Sequence, residues 1–289
     1  MAFIFPGQGS QRRGMGQGLF DEMPEYRAVE KEVDATLGYS MRRLCLENTD
    51  GRLTETQYTQ PSLYVVNALH YYKASGQGNR PAYVAGHSLG EFNALLAAEV
   101  FDFLTGLRLV KKRGELMSHA KNGGMAAIIG LDARTIAKVI RENDLANIDV
   151  ANFNTPSQIV VSGRVEDIKR SGPIFEGAGA RMFIPLQVSA AFHSRYMVDA
   201  ARAFADILAP LSFARPNIPV VANVTAKTYP TDNTSESVKL MLVNQITSPV
   251  QWTQSIRFLA SRGVTEFKEV GPGNVLTRLV QQIEQERET

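Results

Sequence analysis

Gly86-His-Ser-Leu-Gly90 sets a serine between two glycines, after the apolar Val84-Ala85 and ahead of the helical run Glu91-Phe-Asn-Ala-Leu-Leu-Ala-Ala98. Strand, Gly-x-Ser-x-Gly turn and helix in that order predict a nucleophile elbow, which strains the serine and lifts its hydroxyl clear of the sheet. Gly86 and Gly90 suit so sharp a turn because a Cβ at either would collide with neighbouring backbone. The turn also gathers backbone N–H groups, led by that of Leu89, at the positive start of a helix, where an oxyanion can sit. On this reading Ser88 is a covalent nucleophile for acyl transfer. The alternative is a glycine-bounded turn whose serine caps the helix.

A serine nucleophile needs a base, and the chain has four histidines. His70 falls in a helical run rich in Leu and Tyr, His119 near the end of a helix, and His87 beside Ser88, where an elbow turns neighbouring side chains away from the nucleophile. His193, in the loop Val188-Ser-Ala-Ala-Phe-His-Ser194, is the best base. Arg113 is the third chemical residue. In the helix expected from Asp102 to about Ala120, Leu109, Val110, Leu116 and Met117 fall within roughly 60° of it, while Arg108 and Lys111 point away. A guanidinium on an apolar face calls for an anion, and its planar fork suits a carboxylate bidentately. A structural ion pair with a protein acid is the competing reading. Gln8 and Gln11, in the loop Pro6-Gly-Gln-Gly-Ser-Gln11, are amide donors that could reach a carbonyl oxygen or simply make the loop polar. The glycines there do not bind a nucleotide, because neither Gly7-x-Gly9 nor Gly14-x-Gly16 completes G-x-G-x-x-G.

These residues must be held by the elements around them. Phe3-Ile-Phe5 predicts a buried first strand, residues 21–76 a helical scaffold broken by the polar stretch Asn48-Thr-Asp-Gly51, and Ile218–Asn223 and Glu266–Val270 later strands. Helices are expected from Met197 to Leu208, from Trp252 to Arg262 and from Val275 on. Between Gly124 and Leu186 the pattern becomes strand, helix, two strands, helix, strand, the βαββαβ order of a ferredoxin-like unit. The expected fold is therefore α/β. An α/β-hydrolase-like large domain with a mainly parallel sheet comprises 1–123 and 188–289, and a ferredoxin-like small domain, 124–187, is inserted in it.

Composition bounds the rest. With 289 residues, 44% hydrophobic and 21% charged, the chain is ordinary globular protein. A net charge of +2 with interspersed acids and bases argues against nucleic acid. One cysteine, Cys45, offers neither a disulfide framework nor a metal cluster and fits a reducing cytoplasm. The apolar Met1–Phe5 is too short for a signal segment, and no run of spanning length follows, so no membrane is expected.

Taken together, PGQGSQ at 6–11, GHSLGE at 86–91, RGELM at 113–117, AFHS at 191–194, QITSPVQW at 245–252 and EVGPGN at 269–274 resemble the malonyl-CoA:acyl carrier protein transacylases. The likeness runs over essentially the whole chain and is nearest to the discrete trans-acting enzymes of bacterial polyketide synthases. It implies that Ser88 is acylated, that His193 is its base, that Arg113 binds the free malonyl carboxylate, and that Gln11 with the Leu89 N–H lines the oxyanion hole. It implies further that Gln245 orients the histidine through its backbone carbonyl, which fits the lack of an obvious third acid. Phe192 and His87 would border the substrate pocket, Phe192 crowding the α-carbon in favour of malonyl over branched units. The expected substrates are malonyl-CoA and an acyl carrier protein or carrier domain, with no metal and no further cofactor. A serine hydrolase or thioesterase with the same elbow is the main competitor, and a catalytically silent docking subunit the second.

Overall fold

The computed structural model describes residues 1–188 and 190–286; Ser189, in the loop before His193, and 287–289, at the end of the expected large domain, lie outside the described residues. In chain order the elements are β1 (Ala2–Phe5), four short helices α1 (Leu19–Glu22), α2 (Pro24–Arg27), α3 (Glu30–Leu37) and α4 (Met41–Leu46), and α5 (Thr56–Gly76). Then come β2 (Tyr83–Gly86), α6 (Gly90–Ala97), α7 (Phe103–His119), β3 (Gly123–Ile129), α8 (Ala133–Glu142), β4 (Asp149–Thr155) and β5 (Gln158–Arg164). The rest are α9 (Val165–Gly177), β6 (Met182–Pro185), α10 (Val198–Leu208), β7 (Val220–Val221), α11 (Thr234–Thr247), α12 (Trp252–Ser261), β8 (Phe267–Glu269) and α13 (Val275–Gln285).

The first sheet is parallel throughout, in the order β7-β2-β1-β8. Its central strand β1 is apolar at every position because both faces are covered. Phe3 and Phe5 join one hydrophobic cluster, with α5, α6 and α7, and Ala2 and Ile4 join another, with α12 and α13. Burying side chains as large as Phe and Ile contributes about 1.5–3 kcal/mol each. All four strands end at one edge, so the Pro6–Gln11 loop, the turn after Gly86 and the segment at Asn223 meet there. In open parallel sheets this carboxyl edge is where ligands bind.

The second sheet is antiparallel, in the order β4-β5-β3-β6, the ferredoxin-like arrangement that βαββαβ predicts. Period-two alternation splits its faces. Ala126, Ile128, Ile159 and Val161 pack with α8 and α9, whereas Met125, Ala127 and Val160 turn toward the main core. Val250, in the segment ahead of α12, ties β4 of this sheet to the main body: it donates its N–H to Ala151 O and accepts from Phe153 N, each at 2.9 Å.

Two stretches depart from the sequence reading. The helical scaffold of 21–76 breaks at Asn48–Gly51, as the sequence indicates, but is also cut into short pieces ahead of that, where Gly38 sits at positive φ. The strand expected at 218–223 pairs only over Val220–Val221, at the sheet edge just after Pro219, which has no N–H to give. No helix among the described residues is long and apolar enough to cross a membrane.

Candidate active site

The elbow forms as the glycines require. A Cβ on Gly86 would lie 1.9 Å from Gly90 C, and one on Gly90 would lie 2.0 Å from Phe5 O. Between them Ser88 takes φ 52°, a left-handed conformation that a side chain adopts only under constraint. Asn223 supplies part of that constraint: its Oδ1 accepts from Ser88 N at 2.6 Å and its Nδ2 donates to Gly86 O at 2.6 Å. The Ser88 N–H is thereby occupied. No acceptor meets the Leu89 N–H among the described residues, which leaves it available at the start of α6.

Ser88 Oγ is 2.8 Å from His193 Nε2, and His193 Nδ1 is 2.8 Å from the backbone oxygen of Gln245. A carbonyl only accepts, so Nδ1 carries the proton and Nε2 offers its lone pair to the hydroxyl. The imidazole is 4% exposed, and burial, reinforced by the Arg113 charge, lowers its pKa to about 3. It is a neutral acceptor at physiological pH.

Arg113, 1% exposed on α7, has no carboxylate within ion-pair distance among the described residues. Its Nη1 donates to Gln60 Oε1 on α5 at 2.8 Å, and its Nη2 to Gln245 Oε1 at 2.9 Å and to Ser88 Oγ at 3.3 Å. Its Nε is buried without a partner, and its guanidinium carbon lies 5.7 Å from the Phe92 ring centre. Burial lowers its pKa to about 10, partly offset by Glu91, so it stays cationic. Where the competing reading placed a protein acid, neutral amide oxygens stand instead, and a fixed cation with spare donors faces the nucleophile.

These groups line a cavity of about 100 Å³ with Gln8, Gln60, His87, Leu89, Met117, Met125, Asn152, Val160, Leu186, Val188 and Phe192. Typical ligand pockets run to roughly 300–1,000 Å³, so this one admits an acyl group of a few heavy atoms rather than a long chain. His87 is in the wall, but its Nε2 is 2.8 Å from Asn154 Oδ1 and its ring lies against Trp252, tilted by 59° with centroids 5.5 Å apart, so it is committed away from Ser88.

Gln11 is corrected. Its Oε1 accepts from Gly9 N at 2.7 Å, and it does not border the cavity. Gln8, which does, donates to Thr56 Oγ1 at 3.4 Å and is the glutamine placed near Ser88. Two glutamines three apart on a loop have no periodicity to separate them.

Sequence reasoning also passed over Glu91, Asn223, Gln60 and Tyr229. Glu91 is 0% exposed, and burial pushes its carboxyl up to about 7 against bonds from Tyr229, Gln245 and Asn223. Two of these left a signal: Glu91 opens an otherwise apolar helical run, and Gln60 shares a helical face with Leu63 and Asn67.

A strained serine 2.8 Å from a neutral imidazole, in a small pocket that also holds a cation, is equipment for acyl transfer, and the protein is an acyltransferase. It belongs to the acyl transferase domain family, whose model matches residues 2–288. The chain is 51% identical over 290 residues, covering 100% of itself and 98% of the relative, to a polyketide biosynthesis malonyl CoA-acyl carrier protein transacylase of Bacillus subtilis. Its fold matches the crystal structure of a malonyl CoA-acyl carrier protein transacylase from Burkholderia pseudomallei with a TM-score of 0.91 at 48% identity, covering 98% and 97% of the two chains. A malonyl-transacylase in complex with a type II polyketide acyl-carrier protein matches with a TM-score of 0.92 at 37% identity, over 98% and 93% of the chains.

Proposed function

We propose that this enzyme moves a malonyl group from malonyl-CoA to the phosphopantetheine thiol of an acyl carrier protein, supplying a polyketide synthase. The observation that carries the reading is the pairing of Ser88 and His193 at 2.8 Å with Arg113 on the same hydroxyl at 3.3 Å. Ser88 Oγ attacks the thioester carbon while His193 Nε2 takes its proton. The oxyanion is met by the Leu89 N–H and by Gln8, and its charge favours the imidazolium beside it. Collapse expels the CoA sulfur, which receives the proton from His193. In the second half the carrier thiol gives its proton to His193, sulfur attacks the ester carbon, and Ser88 leaves with the proton. Arg113 holds the distal carboxylate throughout, and Phe192 narrows the space at the α-carbon.

The small cavity and the cation in it favour this reading over a long-chain thioesterase, which has no use for a carboxylate clamp. No metal or cofactor takes part in these steps. The same proposal treats 1–123 with 188–289 as the catalytic body and 124–187 as an inserted unit covering the cavity through Met125 and Val160, and it places the enzyme in the reducing cytoplasm.

Intact-mass measurement after incubation with malonyl-CoA tests the proposal. A malonyl adduct is expected on the wild type and not on Ser88→Ala, with release on adding holo carrier protein. An equal adduct on Ser88→Ala would overturn it, as would loss of the adduct to water at the same rate with and without carrier.

A further inference from the structure

Glu91 is a fully buried acid, one turn beyond the nucleophile, that no step above uses. Three donors converge on it. Tyr229 OH donates to Oε1 at 2.5 Å, and Gln245 Nε2 and Asn223 N donate to Oε2 at 2.6 and 3.2 Å. Each of the last two holds other parts of the active site. Asn223 holds the Ser88 N–H, the Gln245 backbone oxygen holds His193, and Gln245 Oε1 holds Arg113.

An amide side chain can turn over, exchanging its donor and acceptor ends, and here only one orientation is compatible with its neighbours. Gln245 Nε2 meets two acceptors, Glu91 Oε2 and, at 2.9 Å, Ser88 O, while its Oε1 meets the Arg113 donor. Turned over, Oε1 would oppose a carboxylate and a carbonyl, and the NH₂ would oppose a guanidinium, leaving buried polar atoms unpaired on both sides. Because the Asn223 N–H also points at Oε2, that oxygen is an acceptor whether or not Oε1 carries a proton, and it excludes the second arrangement.

We infer that Glu91 is a positioning residue: by fixing the Gln245 amide it fixes the Arg113 guanidinium, and so it sets the enzyme's preference for a carboxylated acyl group. The inference rests on the malonyl-transfer reading and adds to it the group that holds the clamp in register with the nucleophile. Glu91 makes no contact with substrate and no ion pair with Arg113; it acts through one amide.

The test is steady-state kcat and KM for malonyl-CoA and acetyl-CoA on wild type, Glu91→Gln, Gln245→Met and the double variant. The amide introduced by Glu91→Gln can both donate and accept, so it no longer dictates the orientation of the Gln245 amide. Glu91→Gln should lower kcat/KM for malonyl-CoA by about tenfold or more, chiefly through KM, while acetyl-CoA changes by less than about threefold. Gln245→Met, which keeps the backbone carbonyl for His193, should reproduce the loss of preference. The double variant should be no more than about twofold worse than the poorer single, because both remove one interaction. Equal losses for both thioesters, a malonyl-to-acetyl ratio kept within about twofold, or losses that multiply would each overturn the inference. Should Glu91→Gln fail to fold, Gln245→Met decides alone: a lost ratio supports the inference and a retained one overturns it. A wild type that forms no malonyl adduct defeats instead the reading beneath it.

Discussion

Arg113 Nη2 donates to Ser88 Oγ across 3.3 Å, so in the free enzyme the cation and the nucleophile are in contact. A carboxylate entering the pocket must draw those donors toward itself, while the Ser88 hydroxyl keeps its 2.8 Å contact with His193 Nε2. Arg113→Ala should therefore cut kcat/KM for malonyl-CoA at least tenfold, the scale of a charge-assisted bond worth about 1.5–3 kcal/mol. Acetyl-CoA has no carboxylate to lose and should be unchanged or improved. Parallel assays on the same folded variant check this, and matched losses would show that Arg113 serves only the fold.

His193→Ala should slow acylation about 10²-fold or more, the range of a general base, while leaving the Ser88 hydroxyl in place. Stopped-flow measurement of CoA release separates this step from transfer to the carrier. A rate within twofold of wild type would require another base.

The pH profile follows from the burial of His193. A base must be neutral to accept a proton, and lowering its pKa from 6.5 to about 3 keeps it neutral further into acid. The acid limb of acylation kcat/KM that belongs to His193 should thus fall well below pH 6. For stability the sign is the same: between the folded and unfolded values the unfolded chain binds more protons, so this group costs stability as pH falls from 6.5 toward 3. Thermal melts should show wild type losing more between pH 7 and 5 than His193→Ala does. A difference of the opposite sign would mean that the imidazole is charged in the fold.

The two glutamines of the Pro6–Gln11 loop should behave differently. Gln8→Ala removes a group lining the cavity and should lower kcat by up to about 10²–10³, as for the loss of an oxyanion donor. Gln11→Ala loses only a bond to Gly9 within its own loop and should stay within about threefold. Comparing kcat for the pair settles which one serves the reaction, and the reverse order would restore Gln11 to the oxyanion hole.

What the sequence determined by itself was whatever depends on neighbours along the chain. The elbow at 86–90 follows from two glycines that must have no Cβ, the burial of Arg113 from the side chains three and four residues away on one helix, and the βαββαβ order from alternating periodicities. The tertiary structure decided everything that depends on which loop ends meet at the carboxyl edge of the first sheet. The choice of Gln8 over Gln11 rests on how one loop lies over α5, and the neutral partners of Arg113 come from residues 53 and 132 positions away. Asn223, behind the nucleophile, is 135 residues from Ser88. Such contacts are made by packing between separate elements, and a buried polar side chain takes its partner from whatever the fold brings opposite it.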